Sequence, residues 1–258
     1  MSTLNLTILQ AELHWHDAAA NRRMFDSALA RIMEPTDLVV LPEMFTTGFS
    51  MDAPNLAETM DGETVQWMRE KAVELEAPLC GSLIIRENDD YFNRFVCAHP
   101  SGDLDCYDKR HLFRLADEQH HYRQGNERAV FSINSFRICP MVCYDLRFPV
   151  WSRNRGDYDV LLYVANWPSR RHLAWETLLR ARAIENLSYA VGVNRIGTDG
   201  NGLPYAGGSA IIDYLGQDIA YMGDRPGHVT AALELGALSK FRERFSFHED
   251  ADRFELRD

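Results

Sequence analysis

Hydrophobic residues recur with two different periods along the first ninety residues. LNLTILQAEL alternates apolar and polar positions, which predicts a strand, and apolar residues then recur at helical spacing up to Met33. The short run DLVVLPE is rich in branched residues and stops at Pro42, which indicates a buried strand with Glu43 at its exit. GETVQWMREKAVELEA predicts a helix and PLCGSLIIRE another strand. The order strand, helix, strand therefore repeats.

The rest of the chain continues this pattern with hairpins added. YFNRFVCAHPSGDLDCYDK predicts a hairpin whose second strand ends at Lys109, and a polar loop follows from His111 to Glu127. The strand in FRICPMVCYD breaks at Cys143, and FPVWSRNRGD begins a short helix. Further elements are expected in DVLLYVAN (strand), HLAWETLLRARAIENL (helix), YAVGVNR (strand), GGSAIIDYLGQDIAYM (hairpin) and HVTAALEL (strand), before a charged tail after Gly236.

Several predicted strands carry apolar residues at successive positions, which indicates burial on both faces. Sheets buried on both faces are covered by helices or by other sheets, so a layered α/β fold with mixed sheets is expected. The pattern alone does not distinguish one sheet from two stacked ones. At 258 residues, 46% of them hydrophobic, the chain fits a single domain over 1–258.

Charge and hydropathy narrow the range of partners. The formal net charge of −11 argues against nucleic acid, whose binding depends on clustered lysine and arginine. No apolar stretch approaches the roughly 20 residues that span a bilayer, and MSTLNLTILQ lacks the basic start of a secretory signal. We therefore expect a cytoplasmic protein that binds neither nucleic acid nor membrane.

The five cysteines form an odd set with no C-x-x-C pair, which argues against a disulfide framework or a zinc ribbon. Free cysteine is among the most buried residue types, so most of them are expected to be small core residues. Cys143 differs because it ends a strand. In α/β folds, functional groups gather where strands end and loops begin.

Three reactive residues occupy such strand exits: Glu43, Lys109 and Cys143. Taken singly, they are better explained as a solvated loop carboxylate, its surface ion-pair partner and a packed core thiol, and position alone does not overturn this. Together they fit nucleophilic catalysis, because a thiol near pKa ~8.5 needs a base or a nearby cation. In that scheme Glu43 moves protons, and Lys109 with the backbone N–H of Tyr144 stabilises an oxyanion.

The segments LPEMFTTGF, YDKRHLF and VCYDLRFP, in this order, resemble the Glu, Lys and Cys motifs of the carbon–nitrogen hydrolases known as the nitrilase superfamily. The resemblance implies an αββα sandwich of two stacked mixed sheets, no metal or organic cofactor, and a homodimer. It also implies a second glutamate in the loop after the lysine. Glu118, seven residues before Gly125, matches that place.

CYDLRFPVWSRN and the NWPSRR segment resemble the omega-amidase branch of that family most closely. That branch removes ammonia from the terminal amide of 2-oxo acids such as 2-oxoglutaramate and 2-oxosuccinamate, so a small-molecule amide is the expected substrate. Its carboxylate would need a cation, for which Arg147, Arg170 and Arg171 are candidates. Arg147 is equally suited to bracing the turn at the nucleophile. Trp167 and Phe45 are candidates for the pocket wall, and aromatic residues at strand ends are as often core.

Other functions remain open at this stage. The same three residues would serve hydrolysis of N-carbamoyl amino acids or of nitriles, or acyl transfer to another acceptor. A metal protein built on His111, His120 and His121 is the alternative from another class, although their spacing gives no regular ligand geometry. A silent binding protein on the same scaffold is a third. The charged tail is expected to lie on its own subunit, to cross to a partner or to form a solvated cap.

Overall fold

The computed structural model describes residues 2–256 and contains two six-stranded sheets with a small two-stranded one. The strands, in chain order, are β1 (Thr3–Gln10), β2 (Leu38–Val40), β3 (Leu79–Glu87), β4 (Asp90–Ala98), β5 (Leu104–Asp108), β6 (Phe131–Ile133), β7 (Phe136–Val142), β8 (Val160–Ala165), β9 (Tyr189–Asn194), β10 (Ile196–Thr198), β11 (Pro204–Ala206), β12 (Ala210–Ile212), β13 (Asp218–Tyr221) and β14 (Gly227–Glu234). The helices are α1 (Ala18–Leu29), α2 (Ala53–Leu56), α3 (Glu63–Leu75), α4 (Pro149–Ser152), α5 (His172–Asn186) and α6 (Leu235–Arg244).

Both large sheets are mixed, as expected. The first has the order β14-β1-β2-β3-β4-β5, in which β1, β2 and β3 are parallel and the remaining pairs are antiparallel. The second has the order β13-β12-β9-β8-β7-β6, with β7, β8 and β9 parallel. The parallel strands of each sheet therefore run together towards one edge, where Glu43 and Cys143 follow β2 and β7.

The two sheets pack face to face, and helices cover their outer faces. Leu6, Phe95 and Val164 belong to the core between the sheets, whereas Phe25 and Met68 from α1 and α3 pack on the outer face of the first sheet. On the second sheet, α5 lies so close to β9 that a Cβ at Gly192 would be 2.5 Å from Leu179 Cδ1. The four-layer αββα sandwich is thus confirmed.

Two local predictions differ from the structure. The first helix ends at Leu29 and does not reach Met33, which is 86% exposed, because the helix cannot continue easily into Glu34 and Pro35. The segment after Gly236 was expected to be a charged tail, but α6 forms there and buries Leu238.

The start of the C-terminal segment lies on its own chain. Arg242 of α6 donates to Asp159 Oδ1 at 2.7 Å and to the Leu187 carbonyl oxygen at 2.7 Å. Both contacts anchor α6 to the second sheet, although the helix follows a strand of the first. Within residues 2–256, no helix is long and apolar enough to cross a membrane.

Candidate active site

Cys143 lies at a sharp turn between β7 and a 3₁₀ helix over Cys143–Arg147. Its φ of +45° falls in the left-handed region, which non-glycine residues adopt only when the surrounding structure holds them there. The turn stops the strand so that the next residue, Tyr144, presents its backbone beside the thiol. This is the strand-to-helix geometry of a nucleophile elbow.

A fully buried carboxylate, that of Asp145, holds the turn in place. Its Oδ2 accepts from the Val142 N–H at 3.0 Å and from the Tyr107 hydroxyl at 2.8 Å. Its Oδ1 accepts from the His111 backbone N–H at 2.9 Å and contacts His111 Nδ1 at 2.7 Å. The carboxylate therefore ties β7 to the segment that carries Lys109.

Lys109 follows β5 and is 1% exposed. Its Nζ donates to Glu118 Oε1 at 2.9 Å, to Glu118 Oε2 at 3.0 Å and to Glu43 Oε1 at 3.1 Å. Both carboxylates are fully buried, so the ammonium is compensated by charge and not by water. Because both acids hold it, the ammonium has a fixed position.

Glu43 is held by two amide side chains from different sheets. Its Oε1 accepts from Asn93 Nδ2 at 2.7 Å, and its Oε2 accepts from the Asn166 backbone N–H at 2.7 Å. Asn166 Nδ2 also donates to the Glu43 carbonyl oxygen at 2.6 Å, and Ser82 Oγ donates to Asn93 Oδ1 at 2.8 Å. Asn93 belongs to β4 and Asn166 follows β8, so Glu43 is fixed where the two sheets meet.

Burial and charge set the protonation of this cluster. Burial raises the pKa of the Cys143 thiol well above its ordinary value, and the nearby Glu43 carboxylate raises it further, while Lys109 opposes both. Burial also raises the pKa of Glu118, against the effect of Lys109. The pKa of Lys109 is raised, because Glu118 and Glu43 outweigh the burial that would lower it. The resting site therefore combines a neutral thiol with a charged ammonium.

The cluster lies at the bottom of a cavity of about 450 Å³, which is within the size range of small-molecule sites. Cys143 and Lys109 line it, together with five of the residues proposed from the sequence: Tyr144, Arg147, Trp167, Arg170 and Arg171. The Arg147 guanidinium lies over the Trp167 ring at 5.0 Å, and that of Arg171 over the Phe113 ring at 4.9 Å. The cavity thus joins a nucleophile to a cationic, aromatic wall.

Phe45 does not line this cavity, so its assignment to the pocket wall is corrected. Its fully buried ring packs against Phe25 at 5.6 Å and Trp67 at 5.9 Å, under the helices of the first sheet. The backbone turns at Met44, where φ is +42°, and Phe45 points to the opposite side from Glu43. Phe49, later in the same loop, lines the cavity and lies 5.1 Å from Lys109 Nζ.

Asn93, Asn166 and Asp145 are not among the site residues predicted from the sequence. Asn166 stands at the exit of β8, the position that drew attention to the three reactive residues, so the same criterion would have found it. Asn93 is an amide within an otherwise largely apolar strand, which is a weaker signal. Asp145 lies in the CYDLRFP segment and has no distinguishing pattern of its own.

The three histidines of the metal hypothesis do not converge. His111 stacks on Phe148 at 3.9 Å and bonds to Asp145, whereas His120 and His121 lie at the end of a separate 3₁₀ helix. Among the residues that the structure describes, no group of three or more His, Cys, Asp or Glu side chains is placed to hold a metal ion.

Two stacked mixed sheets and a cavity lined by Cys143 and Lys109, with Glu43 bonded to that lysine, define the class of protein. The chain belongs to the carbon–nitrogen hydrolase family, whose model matches residues 5–243. It is therefore an enzyme that hydrolyses amide carbon–nitrogen bonds, and the family resemblance found in the sequence is confirmed.

Particular relatives are similar over their whole length. The omega-amidase YafV of Yersinia enterocolitica is 51% identical, with 99% of this chain and 100% of the relative covered. The 2-oxoglutaramate amidase of Bacillus subtilis is 32% identical, with 95% and 96% covered. The crystal structure of XC1258 from Xanthomonas campestris, described as a CN-hydrolase superfamily protein with an arsenic adduct in the active site, superposes with a TM-score of 0.97 at 47% identity, covering 99% of this chain and all of XC1258.

Proposed function

We propose that this protein is an omega-amidase that hydrolyses the terminal amide of 2-oxo acid monoamides, such as 2-oxoglutaramate and 2-oxosuccinamate, to the dicarboxylate and ammonia. The observation that carries the proposal is the pair of arginines, Arg147 and Arg171, in the same cavity as Cys143. The similarity to omega-amidase YafV over the full chain supports it.

The arginines suit a carboxylate because neither has one already. Within the described residues, no aspartate or glutamate lies within ion-pair distance of Arg147 or Arg171, although the chain is acidic overall. Burial lowers the pKa of Arg171, and the neighbouring Arg170 lowers it further. An incoming carboxylate would relieve both effects. It would also supply the planar, two-oxygen partner that guanidinium groups bind best.

The proposed reaction begins at the amide carbon. Cys143 Sγ attacks that carbon as its proton passes to Glu43, and the resulting oxyanion is stabilised by Lys109 Nζ and the Tyr144 N–H. Glu43 returns the proton to the nitrogen, the carbon–nitrogen bond breaks, and ammonia leaves a thioester on Cys143. Water then attacks the thioester with Glu43 as base, releasing the carboxylic acid and the thiol. Glu118 positions Lys109 throughout.

A panel of substrates distinguishes the omega-amidase proposal from hydrolysis of N-carbamoyl amino acids or of nitriles. Ammonia release is measured for 2-oxo acid monoamides, N-carbamoyl amino acids and nitriles at equal concentration. We expect the 2-oxo acid monoamides to be hydrolysed with the highest kcat/KM. Activity confined to nitriles or carbamoyl amino acids would refute the omega-amidase assignment while leaving the catalytic residues intact.

Arginine variants test the carboxylate anchor. Arg147→Gln and Arg171→Gln each remove a charge-assisted contact worth about 1.5–3 kcal/mol, so KM should rise roughly 10- to 150-fold with a smaller change in kcat. Arg170→Gln is the matched control, because this side chain is exposed at the cavity rim. If all three substitutions raise KM equally, the substrate carboxylate is attracted by positive charge in general and is not bound by Arg147 and Arg171 in particular.

We also propose that the enzyme is a cytoplasmic homodimer that associates through α5 and the β12–β13 hairpin. This face exposes large apolar side chains, among them Leu173, Ile184, Leu215, Ile219 and Tyr221, which is unusual for a surface in contact only with water. Ile184→Glu should convert a dimer into a monomer in analytical ultracentrifugation. A wild-type protein that sediments as a monomer would refute the dimer.

A further inference from the structure

A pair of cysteines lies in the core between the sheets, and neither member lines the catalytic cavity. Cys80 of β3 and Cys97 of β4 are direct partners in the antiparallel register, and both are fully buried. Cα atoms of direct antiparallel partners lie about 4.5–5.5 Å apart, which is within the range of about 4.4–6.8 Å that a disulfide spans. As direct register partners, the two side chains also lie on the same face of the sheet, the face that packs against the second sheet.

A histidine and an aspartate complete this cluster. Cys97 is the register partner of Asp105 on β5, and His99 Nε2 contacts Asp105 Oδ2 at 2.7 Å. His99 comes two residues after Cys97, and its ring packs against Phe131 of the same core cluster, so it lies on the same side of the strand as the Cys97 thiol. His99 and Asp105 are partly exposed, so His99 can exchange protons with solvent beside the buried Cys97.

The two thiols differ in acidity. The pKa of Cys97 is lowered, because Cys80 and His99 outweigh the burial that would raise it. Hydrogen bonding to Cys97, together with Asp105, raises the pKa of His99 to about 9. Burial raises the pKa of Cys80 well above its ordinary value. Of the two thiols, Cys97 is therefore the one that ionises more readily, and it stands beside a histidine that can carry its proton.

We propose that Cys80 and Cys97 form a dithiol modification site, separate from the catalytic cysteine, that hydrogen peroxide converts into a cross-strand disulfide. The Cys97 thiolate attacks one peroxide oxygen, the O–O bond breaks, and His99 protonates the departing hydroxide to give water. Cys80 then attacks the sulfenic sulfur of Cys97, the S–O bond breaks, and a second water leaves. Two thiols and one peroxide give one disulfide and two waters.

The site is close to the network that holds Glu43. Ser82 is two residues from Cys80 on β3, and Asn93 is four residues from Cys97 on β4, so all four side chains are on the same face of the sheet. Ser82 and Asn93 bridge the same two strands and end at Glu43 Oε1. A disulfide between Cys80 and Cys97 would therefore join the two strands beside the residues that fix the catalytic acid.

The experiment uses the full chain carrying Cys106→Ser and Cys143→Ser, which leaves Cys80, Cys97 and Cys139 of the five cysteines. The folded protein is treated with hydrogen peroxide, its free thiols are alkylated in denaturant, and its tryptic peptides are weighed. We expect the alkylated thiols to fall from three to one. The peptides that contain Cys80 and Cys97 should be recovered joined, two hydrogens lighter than their sum. Cys139, buried in β7, should remain alkylated.

Two further variants make the test specific. Cys97→Ser on this background should abolish the joined peptide, and His99→Gln should slow its formation severalfold, because the side chain that takes the proton of Cys97 and protonates the departing hydroxide is lost. Circular dichroism checks that each variant is folded. The proposal is overturned if three thiols remain after peroxide treatment, or if the joined peptide forms no faster in the folded protein than in urea. Oxidation of His99→Gln at the parent rate would overturn the part assigned to His99.

Discussion

Replacing Asp145 with asparagine tests whether one buried carboxylate holds the turn that presents Cys143. The carboxylate accepts hydrogen bonds from four groups: two on Oδ1 from His111 and two on Oδ2 from Val142 and Tyr107. Asparagine has the same shape but offers only one acceptor oxygen, and it places an NH₂ group at the other position. The perturbation therefore removes hydrogen bonds without leaving a cavity.

The size of the destabilisation depends on which of the four donors can find a new partner when Asp145 becomes asparagine. The His111 ring can change tautomer and accept from the new NH₂ group, whereas the Tyr107 hydroxyl already accepts from Trp151 Nε1 and from the Arg110 N–H and cannot. The backbone N–H groups of Val142 and His111 lie on different oxygens, and one of them must lose its acceptor. An unsatisfied buried donor costs about 1–3 kcal/mol, and each remaining bond loses about 1 kcal/mol when its acceptor is no longer charged. The expected loss is about 3–5 kcal/mol.

The assay is urea unfolding followed by circular dichroism, combined with kcat on the preferred amide. Asp90→Asn provides the matched control, because it makes the same chemical change in the exposed Arg123–Asp90 ion pair, which belongs to the first sheet and not to the proposed dimer face. Such pairs contribute about 0–1 kcal/mol. We expect Asp145→Asn to lose several times more stability than the control and to lower kcat, since the turn would no longer be held at its unfavourable φ.

A small effect would refute this reasoning. If Asp145→Asn unfolds within about 1 kcal/mol of the wild type and keeps its kcat, the turn must be held by packing and not by the carboxylate. A stability loss with normal kcat in the folded fraction would show that the carboxylate stabilises the fold without positioning the nucleophile.

Three further predictions concern charge. Glu118→Gln leaves Lys109 with one carboxylate, so kcat should fall roughly 10- to 100-fold with KM less affected; unchanged steady-state kinetics would contradict its positioning role. Burial raises the pKa of Cys143, so its alkylation by iodoacetamide should still accelerate above about pH 10, whereas a plateau from about pH 9.5 would indicate an ordinary thiol near pKa ~8.5. The pKa of Asp159 is lowered although burial opposes this, because Arg137 hydrogen-bonds to it. The free energy by which ionised Asp159 stabilises the fold should be complete above about pH 3.9, its pKa in the unfolded chain. It should be lost as the pH falls through the lower pKa that Asp159 has in the folded protein. The difference in unfolding free energy between Asp159→Asn and the wild type should thus shrink towards pH 3, and a constant difference would exclude the linkage.

The elements of the fold were largely predictable because burial leaves a local signature. DVLLYVAN is apolar at successive positions and forms β8, which is buried on both faces. The partners of the strands were not predictable in the same way. β14 pairs with β1 from the far end of the chain, and no property of HVTAALEL specifies that partner. The stacking of two sheets was likewise expected only from the family resemblance.

The residues of the candidate site were also only partly predictable from the sequence. Glu43, Lys109 and Cys143 could be selected because few residue types perform this chemistry and each stands at a strand exit. Asn93 and Asp145 act by holding other groups. Many polar residue types can do this, so neither residue could be recognised from its type alone. Asn93 reaches Glu43 across 50 residues of sequence, so its role exists only once the first sheet has formed.

The charge of the cluster decides how the reaction must start. Two carboxylates, Glu43 and Glu118, surround one ammonium, so the site without substrate has no surplus positive charge to stabilise a thiolate on Cys143. A nucleophile that ionised in advance would add a third negative charge to a buried site, which is costly. In the proposed mechanism the proton therefore leaves Cys143 for Glu43 only as the sulfur–carbon bond forms. The new negative charge then resides on the substrate oxygen, where Lys109 and the Tyr144 N–H can reach it.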